Sequence, residues 1–147
     1  MIVLATTKDY PELITVWESS VRATHHFLTE RDIQAYKQLI FEEYFDTLQL
    51  YCIRKENQIT SFIGVENELL QMLFVDSNER GKGTGKKLIG YAIDSLGVTH
   101  VDVNEQNEQA LGFYYHMGFQ LVERFEHDSA GKPYPILAMA LKSAIAK

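Results

Sequence analysis

Cysteine and long apolar runs are scarce in this sequence of 147 residues. The one cysteine, Cys52, excludes an intramolecular disulfide framework and any zinc site that needs several thiolates. No apolar run approaches the roughly 20 residues that span a bilayer, and residues 1–8 have neither the length nor the basic flank of a signal peptide. We therefore expect a cytoplasmic protein without a membrane partner, and Cys52 in its core.

Positive charge is also in the minority. The chain has 14 Lys and Arg residues against 20 Asp and Glu residues, which gives a net charge of −6. Bulk binding to nucleic acid needs a basic face, so we expect no nucleic-acid partner. The acidic balance slightly favours a cationic or neutral partner.

Repeats, low-complexity tracts and flexible linkers are absent too, and 46% of the residues are apolar. This predicts one domain, residues 1–147. Helices are predicted after the caps Asp9 and Thr29 (the second one through Tyr44), over 88–96 before Gly97, and from 107 to 117. Strands are predicted at 2–5, 48–54, 59–65, 69–75, 98–103, 120–126 and 136–141, with short turns typical of an antiparallel meander after the second and third. The expected class is α+β (mixed α/β), a mixed, mostly antiparallel sheet of about seven strands with about four flanking helices.

A glycine-rich, basic loop at 79–87 lies between the strand that ends at Val75 and the next helix. Its glycines let the backbone approach a ligand, and the helix after it offers unpaired N–H groups. Four cations in this short stretch of an acidic chain add to the attraction for an anion: Arg80, Lys82, Lys86 and Lys87. The segment predicts a phosphate or diphosphate site, and the alternative is a plain turn with solvated lysines.

Neither common nucleotide motif fits this loop. A Walker A loop would need glycine where Arg80 stands and serine or threonine where Lys87 stands. The dinucleotide fingerprint needs a third glycine where Lys86 or Leu88 stands. A nucleotide-phosphate binder is therefore the weakest of the phosphate-binding alternatives.

Two segments match one known family instead. Arg80 to Gly85 reads Arg-x-x-Gly-x-Gly, and 107–119 reads N-x-x-A-x-x-F-Y followed shortly by G-F. At these residues the chain resembles the GCN5-related N-acetyltransferases (GNAT superfamily), in particular their small bacterial members. The resemblance implies the GNAT-like acyl-CoA N-acyltransferase fold and an enzyme that moves an acetyl group from acetyl-CoA to an amine.

The resemblance also implies residue roles. Tyr114 would be the general acid for the departing thiolate, and main-chain N–H groups at the end of the strand 69–75 would stabilise the oxyanion. Acetyl-CoA is the expected cosubstrate, and no metal is expected. The residues implied to bind it are Leu73, Phe74, Val75, Arg80, Gly81, Lys82, Gly83, Thr84, Gly85, Lys86, Asn107 and Tyr114. The alternative interpretation of Tyr114 is an ordinary aromatic residue of the core, and that of Asn107 is a simple helix cap.

The base and the acceptor are less constrained. Glu66 and Glu68 stand at the start of the cofactor strand, where carboxylates serve as bases in some relatives, although a solvated hairpin turn is the favoured interpretation of both. His25 and His26 follow the first helix, and one of them could accept the amine proton. Tyr134, between two prolines, is a candidate for the acceptor pocket.

The predicted activity is therefore acetyl transfer in a ternary complex to a primary amine of a small molecule, peptide or protein. The alternative is a CoA-binding sensor or interaction module without catalysis. Either a monomer or a homodimer fits the sequence.

Overall fold

A seven-stranded sheet forms the centre of the protein in a computed structural model, which describes residues 1–145. Its order is β1-β2-β3-β4-β5-β7-β6, and every neighbouring pair is antiparallel except β4 and β5. This arrangement confirms the predicted α+β class and the mixed, mostly antiparallel sheet. The strands are β1 (Ile2–Leu4), β2 (Gln49–Lys55), β3 (Gln58–Glu66), β4 (Leu69–Val75), β5 (His100–Asn104), β6 (Phe119–Phe125) and β7 (Ile136–Leu141).

Four longer helices cover the two faces of the sheet, and a single-turn helix follows β7. They are α1 (Tyr10–Thr24), α2 (Glu30–Leu39), α3 (Thr84–Leu96), α4 (Glu108–His116) and the short α5 (Lys142–Ile145). The predicted second helix is one regular run through Tyr44, but α2 ends at Leu39 and continues as a π turn at Ile40–Tyr44. None of the helices in residues 1–145 combines the length and the apolar character that crossing a bilayer requires.

Local capping determines where the first two helices begin. Thr29 caps α2 as predicted, because its Oγ1 accepts a hydrogen bond from the backbone N–H of Asp32 at 3.1 Å. Asp9 is the N-cap residue of α1 with Pro11 in the first turn, as predicted, but its side chain makes no cap hydrogen bond to that helix. Its carboxylate instead accepts from the backbone N–H of Thr6 at 2.8 Å and pairs with Arg54.

The sheet separates two hydrophobic cores. Phe62 packs into the core beneath α1 and α2, and the next residue, Ile63, packs into the core beneath α3 and α4. Successive side chains of a strand point to opposite faces, so α1 and α3 lie on opposite faces of the sheet. Cys52 is fully buried in the first core, as predicted.

The two parallel strands in the middle of the sheet diverge. β4 and β5 pair only through Leu69 with His100 and Leu70 with Val101. Beyond these pairs β4 continues to pair with β3, and β5 continues to pair with β7. The facing edges of β4 and β5 are therefore left without a strand partner over most of their length.

Candidate active site

A cavity of about 400 Å³ fills the opening between β4 and β5. Ser20, Thr24 and His25 line it from the α1 side of the sheet, and the start of α3 lines it from the other side. Since α1 and α3 lie on opposite faces, the cavity passes through the sheet. It is lined by eleven of the twelve residues predicted to bind the cofactor: Leu73, Phe74, Val75, Arg80, Gly81, Gly83, Thr84, Gly85, Lys86, Asn107 and Tyr114.

The first turn of α3 has the backbone conformation that an anion site requires. Gly83 stands at the N-cap with φ +80 and makes no side-chain cap hydrogen bond, and Gly81 also has a positive φ of +79. The first backbone bond of the helix runs from the N–H of Lys87 to the carbonyl of Gly83 at 3.1 Å. The N–H groups of the preceding helical residues therefore have no partner within the helix and carry the positive end of its dipole.

The three loop cations that were predicted to bind the cofactor take different positions. The Arg80 guanidinium donates a hydrogen bond to the side-chain oxygen of Gln109 and thereby ties the loop to α4. Lys86 lines the cavity beside Arg80. Lys82 does not line it, and its ammonium lies 3.4 Å from the Glu79 carboxylate.

Tyr114 is held rigidly at the cavity wall. It is 6% exposed, and its ring packs edge-on against Phe113 and Phe119 at centroid distances of 5.4 and 5.8 Å. Burial raises the pKa of its hydroxyl, so the phenol keeps its proton throughout the neutral range. The neighbouring Tyr115 does not line the cavity and is 47% exposed.

Asn107 caps α4 and lines the cavity at the same time. Its Oδ1 accepts a hydrogen bond from the backbone N–H of Ala110 at 3.2 Å. The side-chain NH₂ group remains as a donor at the cavity wall. The two uses expected of this residue are therefore compatible.

Backbone amides of β4 point into the opening. The N–H of Asp76 bonds to the carbonyl of Thr60 in β3 at 2.8 Å. Successive residues of a strand direct their N–H groups to opposite sides, so the amides of Val75 and Leu73 face away from β3 and toward the gap. These two N–H groups lie at the end of the strand where the resemblance implies oxyanion donors.

His25 lies at the α1 side of the cavity with a defined tautomer. The Thr24 hydroxyl donates its single proton to the carbonyl of Ser20 at 2.8 Å. Nδ1 of His25, 2.7 Å from the same hydroxyl oxygen, must then be the protonated nitrogen, which leaves Nε2 as an acceptor. Burial, with a smaller contribution from His26, lowers the pKa of His25 to about 4, so the ring is neutral at physiological pH.

The other acceptor-side candidates lie outside the cavity. His26 is exposed, and Tyr134 stands on the β6–β7 loop against α2. Glu66 and Glu68 are at the β3–β4 hairpin, at about 3.3 Å per residue some 20 Å along the strand from Val75. Both line a second cavity of about 310 Å³. Glu66 is linked to the first cavity through Gln71, a residue of its wall, whose side-chain amide donates a hydrogen bond to the Glu66 carboxylate at 3.3 Å. The structure therefore does not bring Glu66, Glu68, His26 and Tyr134 together with Tyr114.

Sequence reasoning missed several residues of the cavity wall. Gln109 and Phe113 fall on the predicted α4 next to Asn107 and Tyr114, so helical spacing could have found them. Ser20, Gln71 and Asp102 carried no such signal, because only the sheet topology brings them to the opening. Asp102 lies on the wall of both cavities, and desolvation raises the pKa of its carboxyl group. Within residues 1–145 no three His, Cys, Asp or Glu side chains cluster as a metal site requires.

The comparison with known families decides the membership. A sequence model of the acetyltransferase (GNAT) domain matches residues 14–134. The chain belongs to the GNAT acetyltransferase family. It is an N-acetyltransferase of this family, as the motifs at Arg80–Gly85 and at 107–119 predicted.

Several GNAT proteins resemble this one over almost their whole length. Peptidyl-lysine N-acetyltransferase YjaB of Salmonella typhimurium is 36% identical over 126 residues, which are 86% of this chain and 87% of that protein. YjaB of Escherichia coli is 35% identical over 133 residues, 90% of each chain. The solution structure of apo YjaB from Escherichia coli has a TM-score of 0.86 at 33% identity and covers 97% of both chains.

A more distant neighbour shows the same fold. The crystal structure of the PaiA N-acetyltransferase from Thermoplasma acidophilum, in complex with coenzyme A, has a TM-score of 0.73 at 19% identity. It covers 94% of this chain and 96% of that one. The predicted GNAT fold is therefore confirmed by both sequence and structure.

Proposed function

We propose that this GNAT protein transfers the acetyl group of acetyl-CoA to the Nε amine of a lysine side chain in a peptide or protein. The observation that carries the proposal is the cavity through the sheet, with an anion site at one mouth and a neutral histidine at the other. The two YjaB relatives are named for peptidyl-lysine acetylation, and this supports lysine as the acceptor.

The residues at the α3 end of the cavity fit acetyl-CoA. The uncapped N–H groups of α3, together with Arg80 and Lys86, provide donors and positive charge for a diphosphate. The opening between β4 and β5 then offers an apolar passage with backbone donors for the pantetheine arm. When bound, acetyl-CoA supplies the activated acetyl group as a thioester.

Two groups of the chain act on the acetyl carbon and its leaving group. The amides of Leu73 and Val75 stabilise the negative charge that develops on the carbonyl oxygen. The neutral phenol of Tyr114 acts as the general acid by donating a hydrogen bond to the departing thiolate as the C–S bond breaks, and the released thiolate takes its proton from solvent. The raised pKa of this phenol keeps the proton available at physiological pH.

His25 orients the acceptor amine. Its Nε2 accepts a hydrogen bond from the amine, because Thr24 fixes the proton on Nδ1. With a pKa of about 4 the ring is a weak base, so it holds the amine in position while water takes the released proton. Among the base candidates of the sequence, this assignment favours His25 over His26, Glu66 and Glu68.

Release of the CoA thiol from acetyl-CoA tests the proposal. The acceptors are an N-terminally blocked peptide with one internal lysine, the same peptide with arginine at that position, polyamines, aminoglycosides and free amino acids. We expect turnover with the lysine peptide and none with its arginine control. Turnover confined to a small-molecule amine would contradict the acceptor, and binding of acetyl-CoA without any turnover would favour a non-catalytic CoA-binding module.

A further inference from the structure

A run of four rings leads from the cavity to the surface on the α1 side. Phe74 lines the cavity, and the His25 ring lies 6.5 Å from it. Phe27 follows at 5.3 Å from His25, and Tyr134 at 5.6 Å from Phe27. The run begins where the acetyl group is proposed to lie and ends on the β6–β7 loop.

The two outer rings are only partly covered by the rest of the protein. Phe27 and Tyr134 are both half-buried. Neither belongs to the two hydrophobic cores or to the partly buried residues packed against them within residues 1–145. Half-exposed aromatic faces beside a substrate cavity are typical of a binding surface.

The Tyr134 end of the run is fixed by bonds between the β6–β7 loop and α2. The Tyr134 hydroxyl donates to the Asp32 carboxylate, which also lies 3.2 Å from the Lys132 ammonium. The Tyr36 hydroxyl donates to Asp128, whose carboxylate also accepts from the backbone N–H of Lys132 at 2.9 Å. The rings are therefore presented in a defined position instead of on a free loop.

The charges of this corner favour a cation. The Asp32 carboxylate pairs with the Lys132 ammonium, whereas the Asp128 carboxylate accepts hydrogen bonds from neutral donors and forms no ion pair within residues 1–145, so one negative charge of this corner is not neutralised. The corner already holds an alkylammonium, since the Lys132 Nζ lies 5.9 Å from the centroid of the Tyr36 ring. The combination of aromatic faces and one excess carboxylate suits a primary ammonium at the end of an apolar stem.

We propose that Phe27 and Tyr134 form the acceptor-binding wall, which holds the alkylammonium side chain of the acceptor lysine on its way to His25. This inference rests on the proposed lysine acetyltransferase function. The methylene stem lies along the rings, and their π faces attract the ammonium before it loses its proton. Phe27 and Tyr134 are thus specificity residues, and they take no part in the chemical step.

Steady-state kinetics of Phe27→Leu test this wall, because leucine keeps apolar bulk and removes the π face. Cation–π attraction predicts that the KM for the lysine peptide rises about tenfold. We expect kcat and the KM for acetyl-CoA to stay within about twofold. Phe41→Leu, which alters a surface ring that is 39% exposed and packs on Tyr10, is the matched control and should leave all three constants unchanged. An unchanged KM for the peptide in Phe27→Leu would overturn the proposal.

Two further measurements distinguish loss of the acceptor-binding wall from misfolding and from failure of the proposed function. Phe27→Tyr keeps the ring and should restore the KM for the peptide. Direct binding is measured with peptides that carry trimethyllysine, a cation that cannot be acetylated, or the uncharged norleucine at the lysine position. Tighter binding of the trimethyllysine peptide to the wild type, lost in Phe27→Leu, supports the wall even without turnover. Equal binding of the two peptides to the wild type overturns it even if lysine is acetylated.

Discussion

Leu70 pairs with Val101 across β4 and β5, and beyond this pair the two strands separate. The cavity is therefore a product of the strand pairing itself: each strand keeps its other neighbour, and the gap between them opens toward both faces. One mouth receives the start of α3, and the other receives the end of α1.

Arg80 is expected to hold the diphosphate. Replacing it by methionine should weaken CoA binding by roughly 10- to 100-fold, the range for a lost hydrogen bond to a charged group. Pantetheine, which lacks the diphosphate, should bind Arg80→Met as well as it binds the wild type. Lys82→Met is the control, since Lys82 faces Glu79 and should have a smaller effect. Isothermal titration calorimetry with both ligands measures this, and an equal loss for CoA and pantetheine would contradict the assignment.

The conformation of Gly83 gives a second prediction. At φ +80 a side chain is strained, so Gly83→Ala should lower the free energy of unfolding by about 1 kcal/mol. It should also weaken CoA binding, because the first turn of α3 shifts. Gly90→Ala in the same helix meets nothing within 4 Å and should raise the free energy of unfolding by about 0.5–1 kcal/mol. Urea denaturation distinguishes the two, and a stabilising Gly83→Ala would refute this account of the loop.

Burial of neutral His25 makes stability depend on pH. Its pKa is about 4 in the folded protein against 6.5 in the unfolded chain, so between these values only the unfolded chain takes up the proton. The free energy of unfolding should therefore fall by roughly 3 kcal/mol from this group as the pH drops from 6.5 to 4. His25→Asn should remove that part of the slope, and His26→Asn, at an exposed site, should keep it. Identical pH profiles for the two variants would show that His25 is not held neutral.

Much of the cavity end at the start of α3 could be predicted from the sequence, because the residues that form it lie close together in the chain. The loop at Arg80–Gly85 and the helix cap Asn107 each combine backbone conformation, charge and helix position within a few residues. The seven strands and the antiparallel meander followed from alternation and short turns. The π turn after Leu39 was not predictable in this way, because its residues keep the apolar spacing of a regular helix.

The acceptor side depends on contacts between distant parts of the chain. Tyr36 and Asp128, or Asp32 and Tyr134, meet only after the β6–β7 loop packs against α2. The choice between His25 and His26 also needed the structure, since adjacent residues at a helix end differ in burial for reasons that lie in the surrounding fold. Glu66 and Glu68 were candidate bases because of their position next to β4 in the sequence, but the length of β4 separates their hairpin from the end of the strand at Val75.

The role of Tyr114 in acetyl transfer is tested by comparing Tyr114→Phe with Tyr115→Phe in the thiol-release assay on the lysine peptide. Each variant loses one hydroxyl from adjacent residues of α4, but only Tyr114 lines the cavity. We predict that Tyr114→Phe lowers kcat at least tenfold, with CoA affinity and thermal stability nearly unchanged, and that Tyr115→Phe behaves as the wild type. Equal kcat values for Tyr114→Phe and the wild type would contradict the role of Tyr114 as the general acid.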